Sequence, residues 1–491
     1  MSKPKWVIMV YIAANDTLAN FAIESLKQLQ ETATNEVVVV AQFDPDGLSS
    51  EHQVRRYVFN LETRDKPLLD DNKFWGNADH RFLSMSEPGT LTEFMEWVYR
   101  DYPAEHYCLT LWAEGPLLLF QLPAKSDREI LPLGAGAYLT PAQLKQALHN
   151  ARGVRKEVDD AQGEGKKLEI IAMDACSMSM CEIAYELKDE AEFLVASQEE
   201  VPDPSFRYDM LVKLFSEGLG SKELCQAGVV GYVTAYQQYF YSQSTGTYPV
   251  TLAAIELKQM QNLKGPLKEL ANALTSATKD TLTADLIYSA RAQSQSYVGG
   301  LYVDLHDFCN KLGGATQFAK VCGNVSKAID NAVAARAGVV NGCVVEVVNH
   351  AAASTGTVYG PVMRVNGEAV KSGKPELLSY GLSIYFPYLK DAKENDHIQD
   401  VVKGIPRMID KDSEMLAGYR VLIKDIEDDY QDSQFDFARD TNWYQFIQQG
   451  WSLILASQDP DDLDTLYLAR QCVKNLLTII QSSGVSGAAA A

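Results

Sequence analysis

The chain has 491 residues, 46% of them hydrophobic, with 65 acidic against 44 basic side chains and a formal net charge of −21. That length can bury a large core in more than one domain. The acid excess, with no concentrated basic face, speaks against nucleic-acid binding by counterion release. No run of 18 apolar residues occurs, so no membrane-spanning helix is expected.

The first residues, Met1 to Lys5, lead straight towards a strand and lack the shape of a secretory signal, which points to a cytoplasmic protein. Trp6 to Ala14 is a continuous apolar run, the pattern of a strand covered on both faces. Leu18, Phe21, Ala22, Leu26 and Leu29 follow at helical spacing. Glu36 to Phe43 reads as a second buried strand, and Gln53 to Phe59 alternates like an exposed one. Thr90 and Glu93 have capping-box spacing ahead of Leu91, Phe94, Met95 and Val98. Tyr107 to Trp112 is the next buried strand and ends in Ala113-Glu114-Gly115-Pro116, where the chain must turn. Thr140, Pro141 and Gln143 then open another helix. Arg152 to Lys167 is polar, Gly-containing and mixed in charge, and reads as an exposed loop.

Ile170 to Met173 is a buried strand that runs into Asp174, Ala175 and Cys176. A helix is expected from Met178 to Leu187. A cysteine in such a strand-to-helix turn has helix N–H groups near it, which favours thiolate over thiol. Phe193 to Ser197 is a short strand before the acidic loop Gln198 to Pro204. Val250–Leu257, Gly300–Val303, Val344–Val348 and Gly381–Phe386 are further strand candidates, with helical patterns between Leu257 and about Ala290. A last helix opens at Asp459-Pro460, and Ser482–Ala491 is a Gly/Ala/Ser-rich tail expected to be disordered.

Strands alternating with helices predict an α/β fold with a mostly parallel central sheet, helices on both faces, and a mixed α/β C-terminal extension. The expected divisions are a core over 1–260, a subdomain over 261–390, an acidic helical region over 391–481 and the tail over 482–491. Ligand-binding residues of such sheets gather beyond the carboxyl ends of the strands, where Ala113–Gly115, Asp174–Cys176 and Glu199–Asp203 all fall. The eight cysteines (108, 176, 181, 225, 309, 322, 343 and 472) stand in apolar contexts without CxxC pairs, which argues for reduced thiols and against zinc. Asp425, Glu427, Asp428, Asp429, Asp432, Asp436 and Asp440 form an acid-rich run. It reads as a solvated face, with a basic partner or calcium as the sharper alternative; EF-hand spacing is absent.

Four spaced segments, Trp6–Leu18, Tyr107–Gly115, Asp174–Leu187 and Val195–Tyr208, together resemble the clostripain-like cysteine peptidases, and Gly381–Pro387 is similar to a later element of that family. The resemblance implies the caspase and gingipain type of fold and cleavage after Arg or Lys. It also implies a calcium requirement in some members and activation in others by a cut between the two catalytic residues. Carried over by position, Cys176 matches the nucleophile and Asp174 an acid of the pocket for a basic P1 side chain. Glu199 and Asp203 lie in the loop that completes that pocket. Gly115 N–H and Cys176 N–H are the implied oxyanion donors. Arg152, Arg155, Lys156, Lys166 and Lys167 are the implied activation-loop sites. No metal ligand can be assigned.

The sequence departs from the family where the catalytic histidine belongs: that position holds Glu114. An imidazole takes the thiol proton and returns it to the leaving amine. A carboxylate, with a reference pKa of about 4.3 against about 8.5 for a thiol, is a weak base for that step. Its negative charge also opposes thiolate formation beside it. His52, His80, His106, His149, His306, His350 and His397 are the candidate substitutes, and His106 sits at the opposite end of the strand that leads to Glu114. Three readings compete. The first is an impaired peptidase homologue that binds a protein or peptide with exposed Arg or Lys, including a regulatory partner. The second is an active peptidase with a rearranged base or an artificially replaced histidine. The third is a scaffold with no use for the cleft. Glu114 favours the first over the second, and the acids at 174, 199 and 203 disfavour the third.

Overall fold

Strand β1 (Trp6–Ala13) has no exposed residue, and its side chains divide between two cores in strict alternation. Val7, Met9, Tyr11 and Ala13 enter one core, and Trp6, Ile8, Val10 and Ile12 the other. A strand with two apolar faces is stable only in the middle of a sheet covered on both sides. The computed structural model describes residues 3–13, 19–32, 34, 36–44, 54–64, 84–113, 120–122, 137–159, 165–199, 201–202, 205–243, 250–297, 301–340, 343–347, 364–365, 368–369, 379–387, 428 and 430–451.

Helix α1 (Ala19–Thr32) carries the chain to β2 (Val37–Asp44), parallel to β1, and β3 (Arg55–Phe59) closes that edge antiparallel to β2. After α2 (Pro88–Asp101), strand β4 (His106–Trp112) pairs with the other side of β1. A two-stranded pair, β5 (Phe120–Leu122) and β6 (Ala137–Leu139), and α3 (Pro141–Val158) precede β7 (Leu168–Asp174), parallel to β4. Helix α4 (Cys181–Glu186) and β8 (Ala191–Ala196) follow, then α5 (Tyr208–Phe215), α6 (Ser221–Gln243) and β9 (Thr251–Glu256). Beyond these come α7 (Lys264–Ala277), α8 (Thr281–Gln293), β10 (Ser296–Tyr297), β11 (Tyr302–Asp304), α9 (Leu305–Leu312) and α10 (Ala319–Ala332). Strands β12 (Val333–Val340), β13 (Cys343–Val347), β14 (Arg364–Val365), β15 (Glu368–Ala369) and β16 (Ser383–Tyr385) complete the described strands.

The main sheet has nine strands in the order β13-β12-β9-β8-β7-β4-β1-β2-β3. The four expected central strands are neighbours at β7-β4-β1-β2 and all parallel. Its connections reverse direction at β1. The helix α1 therefore packs on one face with α5 and α6, while α2, α3 and α7 to α10 pack on the other. Strands β12 and β13, from beyond residue 260, add to the main sheet antiparallel beside β9, and β10-β11-β16 forms a separate small sheet.

Local expectations fared unevenly. The Thr140 capping box is present in full, with Gln143 N–H donating to Thr140 and the Gln143 side chain accepting from Thr140 N–H. The one expected at Thr90 is not: α2 starts three residues earlier, behind Glu87 with Pro88 at its first turn. The β3 edge is not exposed as the alternation suggested. Arg56 is buried because its Nε donates to Gln42 at 2.7 Å and its guanidinium lies 4.7 Å over the Trp97 ring. The expected last helix at Asp459 and the tail lie outside the described residues.

The largest correction concerns Arg152–Lys167. Helix α3 runs to Val158, so Arg152, Arg155 and Lys156 are helical and not in a loop. The cause is Arg155, which is 1% exposed. Its Nη2 donates to Glu169 on β7 at 2.9 Å, its Nη1 donates to Lys167 O at 2.5 Å, and its guanidinium sits 4.8 Å over Tyr107. A charged side chain so placed belongs to the core, and polar composition alone cannot reveal it. Lys166 and Lys167 form the lead-in to β7, and Lys167 donates to Lys188 O at 3.2 Å.

The segment 430–451 returns over α4. Tyr430 O–H donates to Glu182 at 2.5 Å, Tyr385 N–H donates to the same oxygen at 2.7 Å, and Phe437 N–H donates to Glu186 at 2.7 Å. Within the acid-rich run, Asp436 pairs with Lys145 and Arg439, and Asp440 pairs with Lys264 at 2.9 Å and accepts from Tyr185 at 2.7 Å. For these two acids the basic partner is the chain itself, not solvent.

Two measurements probe this packing. Arg155→Ala leaves Glu169 as a buried charge without its main partner and should cost about 3–5 kcal/mol in denaturant unfolding; a loss below about 1 kcal/mol would contradict the buried pair. Burial raises the Glu182 carboxyl to about 7. The folded state then holds a proton that the unfolded state has released, so this contribution to stability is full below about pH 4.5 and declines as pH rises to about 7. Glu182→Gln should flatten the fall in unfolding free energy between pH 5 and 8, and parallel curves for the two proteins would refute the shift.

Candidate active site

The candidate centre lies at the carboxyl ends of β4 and β7. Their register sets Trp112 opposite Asp174, and Ala113 N–H donates to Asp174 O at 3.3 Å. The segment that continues into Glu114 thus leaves the sheet beside the one that continues into Cys176. Glu114, Gly115 and Asp203 lie outside the described residues.

Beyond β7 the chain does not enter a helix at Met178. Ser177 adopts a left-handed backbone conformation, φ 55°. The next residues then run against the continuation of β8: Ser177 N–H donates to Glu199 O at 3.1 Å, and Ser179 N–H to Ser197 O at 2.8 Å. Helix α4 opens only at Cys181, so the expected donation from a helix start to Cys176 is replaced by another. Val201 N–H donates to Cys176 Sγ at 3.4 Å, and the thiol is half-buried. An N–H directed at a sulfur favours its thiolate form over the thiol.

Asp174 is only 3% exposed. Its carboxylate accepts from the Ser205 hydroxyl, from Phe206 N–H at 3.2 Å and from Tyr208 O–H at 2.7 Å. Burial and this carboxylate push the Tyr208 phenol well above its usual range. Ser205 also accepts from Trp112 Nε1 at 2.7 Å. Glu199 is half-buried, and its N–H donates to Ser197 Oγ and Thr251 Oγ1, both at 3.1 Å. The structure therefore brings Asp174, Cys176, Glu199 and residues 201–202 together.

A second set of contacts fixes this corner from below. Ser179 Oγ donates to Gly381 O at 2.6 Å, Gly381 N–H donates to Gln198 Oε1 at 2.8 Å, and Gln198 Nε2 donates to Asp304 at 2.9 Å. Burial raises Asp304 to about 6, against the pull of Asp307 N–H, the Gln198 amide and Tyr380 N–H. Gly381 has φ 102°, and a Cβ there would meet the Val333 methyls at 3.1 Å, so glycine is required. This accounts for the start of the Gly381–Phe386 run. Ser205, Tyr208, Trp112 and Gln198 were not singled out from sequence. Their only signal was membership of the segments Tyr107–Gly115 and Val195–Tyr208.

The three described histidines are engaged elsewhere. His106 lies 3.4 Å from Glu169 at the other end of the sheet, His149 lies 3.4 Å from Glu190, and His306 stacks on Tyr380 and faces Asp330 at 3.4 Å. His52, His80, His350 and His397 lie outside the described residues. Among the described residues no helix is long and apolar enough to cross a membrane, and no group of three or more His, Cys, Asp or Glu is arranged to hold a metal ion.

Comparison with known proteins gives this geometry its context. Clostripain of Hathewaya histolytica is 23% identical over 267 residues, 48% of this chain and 49% of that protein, so the chain spans about half the length of the curated relative it matches. A secreted C11 cysteine protease from Bacteroides thetaiotaomicron, solved with an irreversible peptide inhibitor, is 16% identical, with 85% of this chain and 99% of that chain covered and a TM-score of 0.47. An inactive zymogen C11 protease from Parabacteroides distasonis is 17% identical, with 82% and 96% covered and a TM-score of 0.47. The sequence profile of the clostripain family, Peptidase_C11, matches residues 10–451. The chain belongs to the clostripain family of cysteine peptidases.

Proposed function

We propose that this protein is a clostripain-family cysteine-peptidase homologue that recognises a basic side chain and is impaired in peptide-bond turnover, acting by binding a protein or peptide with exposed Arg or Lys. The observation that carries the reading is Glu114, which stands where the family resemblance places histidine, two residues past the strand end paired with Asp174. Turnover by a cysteine needs a neighbour that takes a proton from sulfur and then stabilises the thiolate as a cation. Glutamate has no cationic form. The other engagements of His106, His149 and His306 support the same reading.

Recognition rests on acids near Cys176. Glu199 and Asp203 border the cleft in sequence, and a guanidinium can engage a carboxylate through two parallel hydrogen bonds where an ammonium cannot. Arg is therefore the preferred partner side chain over Lys. Calcium, required by some relatives of this type, belongs in the assay as a variable.

The test is hydrolysis of fluorogenic Arg and Lys amides, with reductant and with or without calcium, by the unmodified protein and by Glu114→His. The expected result is at least about a hundredfold faster turnover by the variant, lost again when Cys176→Ala is added. Turnover by the unmodified protein equal to that of Glu114→His would overturn the impaired reading in favour of an active peptidase with a different base.

A further inference from the structure

We propose that Cys309 and Cys322 form an oxidisable dithiol, a modification site that reacts with a small disulfide such as oxidised glutathione and closes into an intramolecular bond between α9 and α10. Neither turnover at Cys176 nor a basic ligand is needed for it. Cys108, Cys176, Cys181, Cys225, Cys309 and Cys322 are free thiols, and all but Cys176 are buried. A buried thiol by itself is a small apolar group. Cys309 and Cys322, each 2% exposed, depart from that role because their side chains hydrogen-bond to one another across the contact between the two helices. The Cys108 thiol is instead paired with Thr110.

The local backbone brings the two thiols together. Gly313 N–H, just past α9, donates to Cys309 O at 2.8 Å, and Phe318 N–H donates to Ala315 O at 2.9 Å within the short connection. Cys322 N–H then donates to Phe318 O at 2.9 Å in the first turn of α10. A Cβ on Gly313 would lie 3.4 Å from Cys322 Cβ, so the end of α9 already touches the residue that carries the second thiol. Burial and the neighbouring Cys322 push the Cys309 thiol well above its usual range, which keeps the closed pair protonated and slow to react. Exchange therefore proceeds from an opened form of this helix pair. One sulfur loses its proton and attacks oxidised glutathione, releasing a first glutathione thiolate. The second sulfur, deprotonated in turn, attacks the mixed disulfide and releases the other. Two electrons pass to the glutathione disulfide, and the two protein protons end on the two glutathione thiolates. The new bond braces a helix whose cap, Asp304, holds Gln198 at 2.9 Å and whose first residue, Leu305, donates through its N–H to Leu382 O at 3.1 Å. The dithiol is thereby tied to the contacts beneath the turn that carries Cys176.

The experiment equilibrates the unmodified full chain, without denaturant, in mixtures of oxidised and reduced glutathione. Free thiols are then alkylated in urea and the protein is cut with trypsin. Cys309 falls in the peptide Ala292–Lys311 and Cys322 in Val321–Lys327, so the two are separable by cleavage. The expected result is a linked pair of these peptides, two hydrogens lighter than their sum and separated again by reductant, at ratios where Cys108, Cys181 and Cys225 are still alkylated. Alkylation of both Cys309 and Cys322 at every ratio, or glutathione on either one without the link, overturns the proposal. Thermal unfolding tests whether the bond fits the fold. Closing a ring over residues 309–322 should raise the melting temperature of the oxidised protein by at least about 2 °C, with no rise in Cys309→Ala treated in the same way. A linked protein that melts no higher than the reduced one overturns the assignment of the pair as a staple between α9 and α10. The measurement on the unmodified chain stands whether or not the variant folds.

Discussion

Strands β4 and β7 are parallel neighbours whose register brings Trp112 opposite Asp174, and the rest of the molecule is arranged around that pairing. Parallel strands end on the same side of a sheet, so the segments that leave them emerge in the same place. Here those continuations begin at Ala113 and Ala175. Holding the register is costly in apolar surface. Every residue of β4 except His106 is buried, and β7 is buried apart from Ala172. The two cores on either face supply that surface, and a one-residue slip would turn each inward side chain to the wrong core.

The polar contacts around these strand ends arise from the same geometry. Strand ends leave unpaired N–H and C=O groups, and burial demands partners for them. The continuation past Cys176 finds its partners on residues 197 and 199, and the lead-in to β16 finds its own on Ser179 and Gln198. A chain segment about 200 residues downstream thereby helps to shape the turn that carries the thiol. The returning segment 430–451 acts similarly on α4, with Glu182 and Glu186 as its acceptors. In a chain with a net charge of −21, burying those two carboxylates is tolerable because donors from remote segments are placed on them.

Asp174 shows why a residue's position and its role separate. Its place two residues before Cys176 was evident from sequence, and the resemblance implied a part in the pocket. In the fold its carboxylate is committed to the turn 205–208, through donors that no spacing rule connects to it. Arg155 is the reverse case. A charged residue in a polar stretch read as a loop, yet the Glu169 carboxylate and the Tyr107 face make it part of the core.

By itself the sequence determined the four central strands and the α/β class, because continuous apolar runs such as Trp6–Ala13 and Ile170–Met173 can be satisfied only inside a covered sheet. It also supplied the candidate nucleophile Cys176 and the glutamate at position 114, which are matters of residue identity. Only the tertiary structure decided the length of α3, the start of α4 at Cys181, the internal ion pairs of Asp436 and Asp440, and the donors on Asp174. The physical reason is common to all of these. Apolar periodicity is local and reports burial directly, whereas hydrogen bonds to a buried carboxylate or guanidinium come from residues tens or hundreds of positions away. Their existence depends on where the fold brings those residues, and not on any pattern near the group they satisfy.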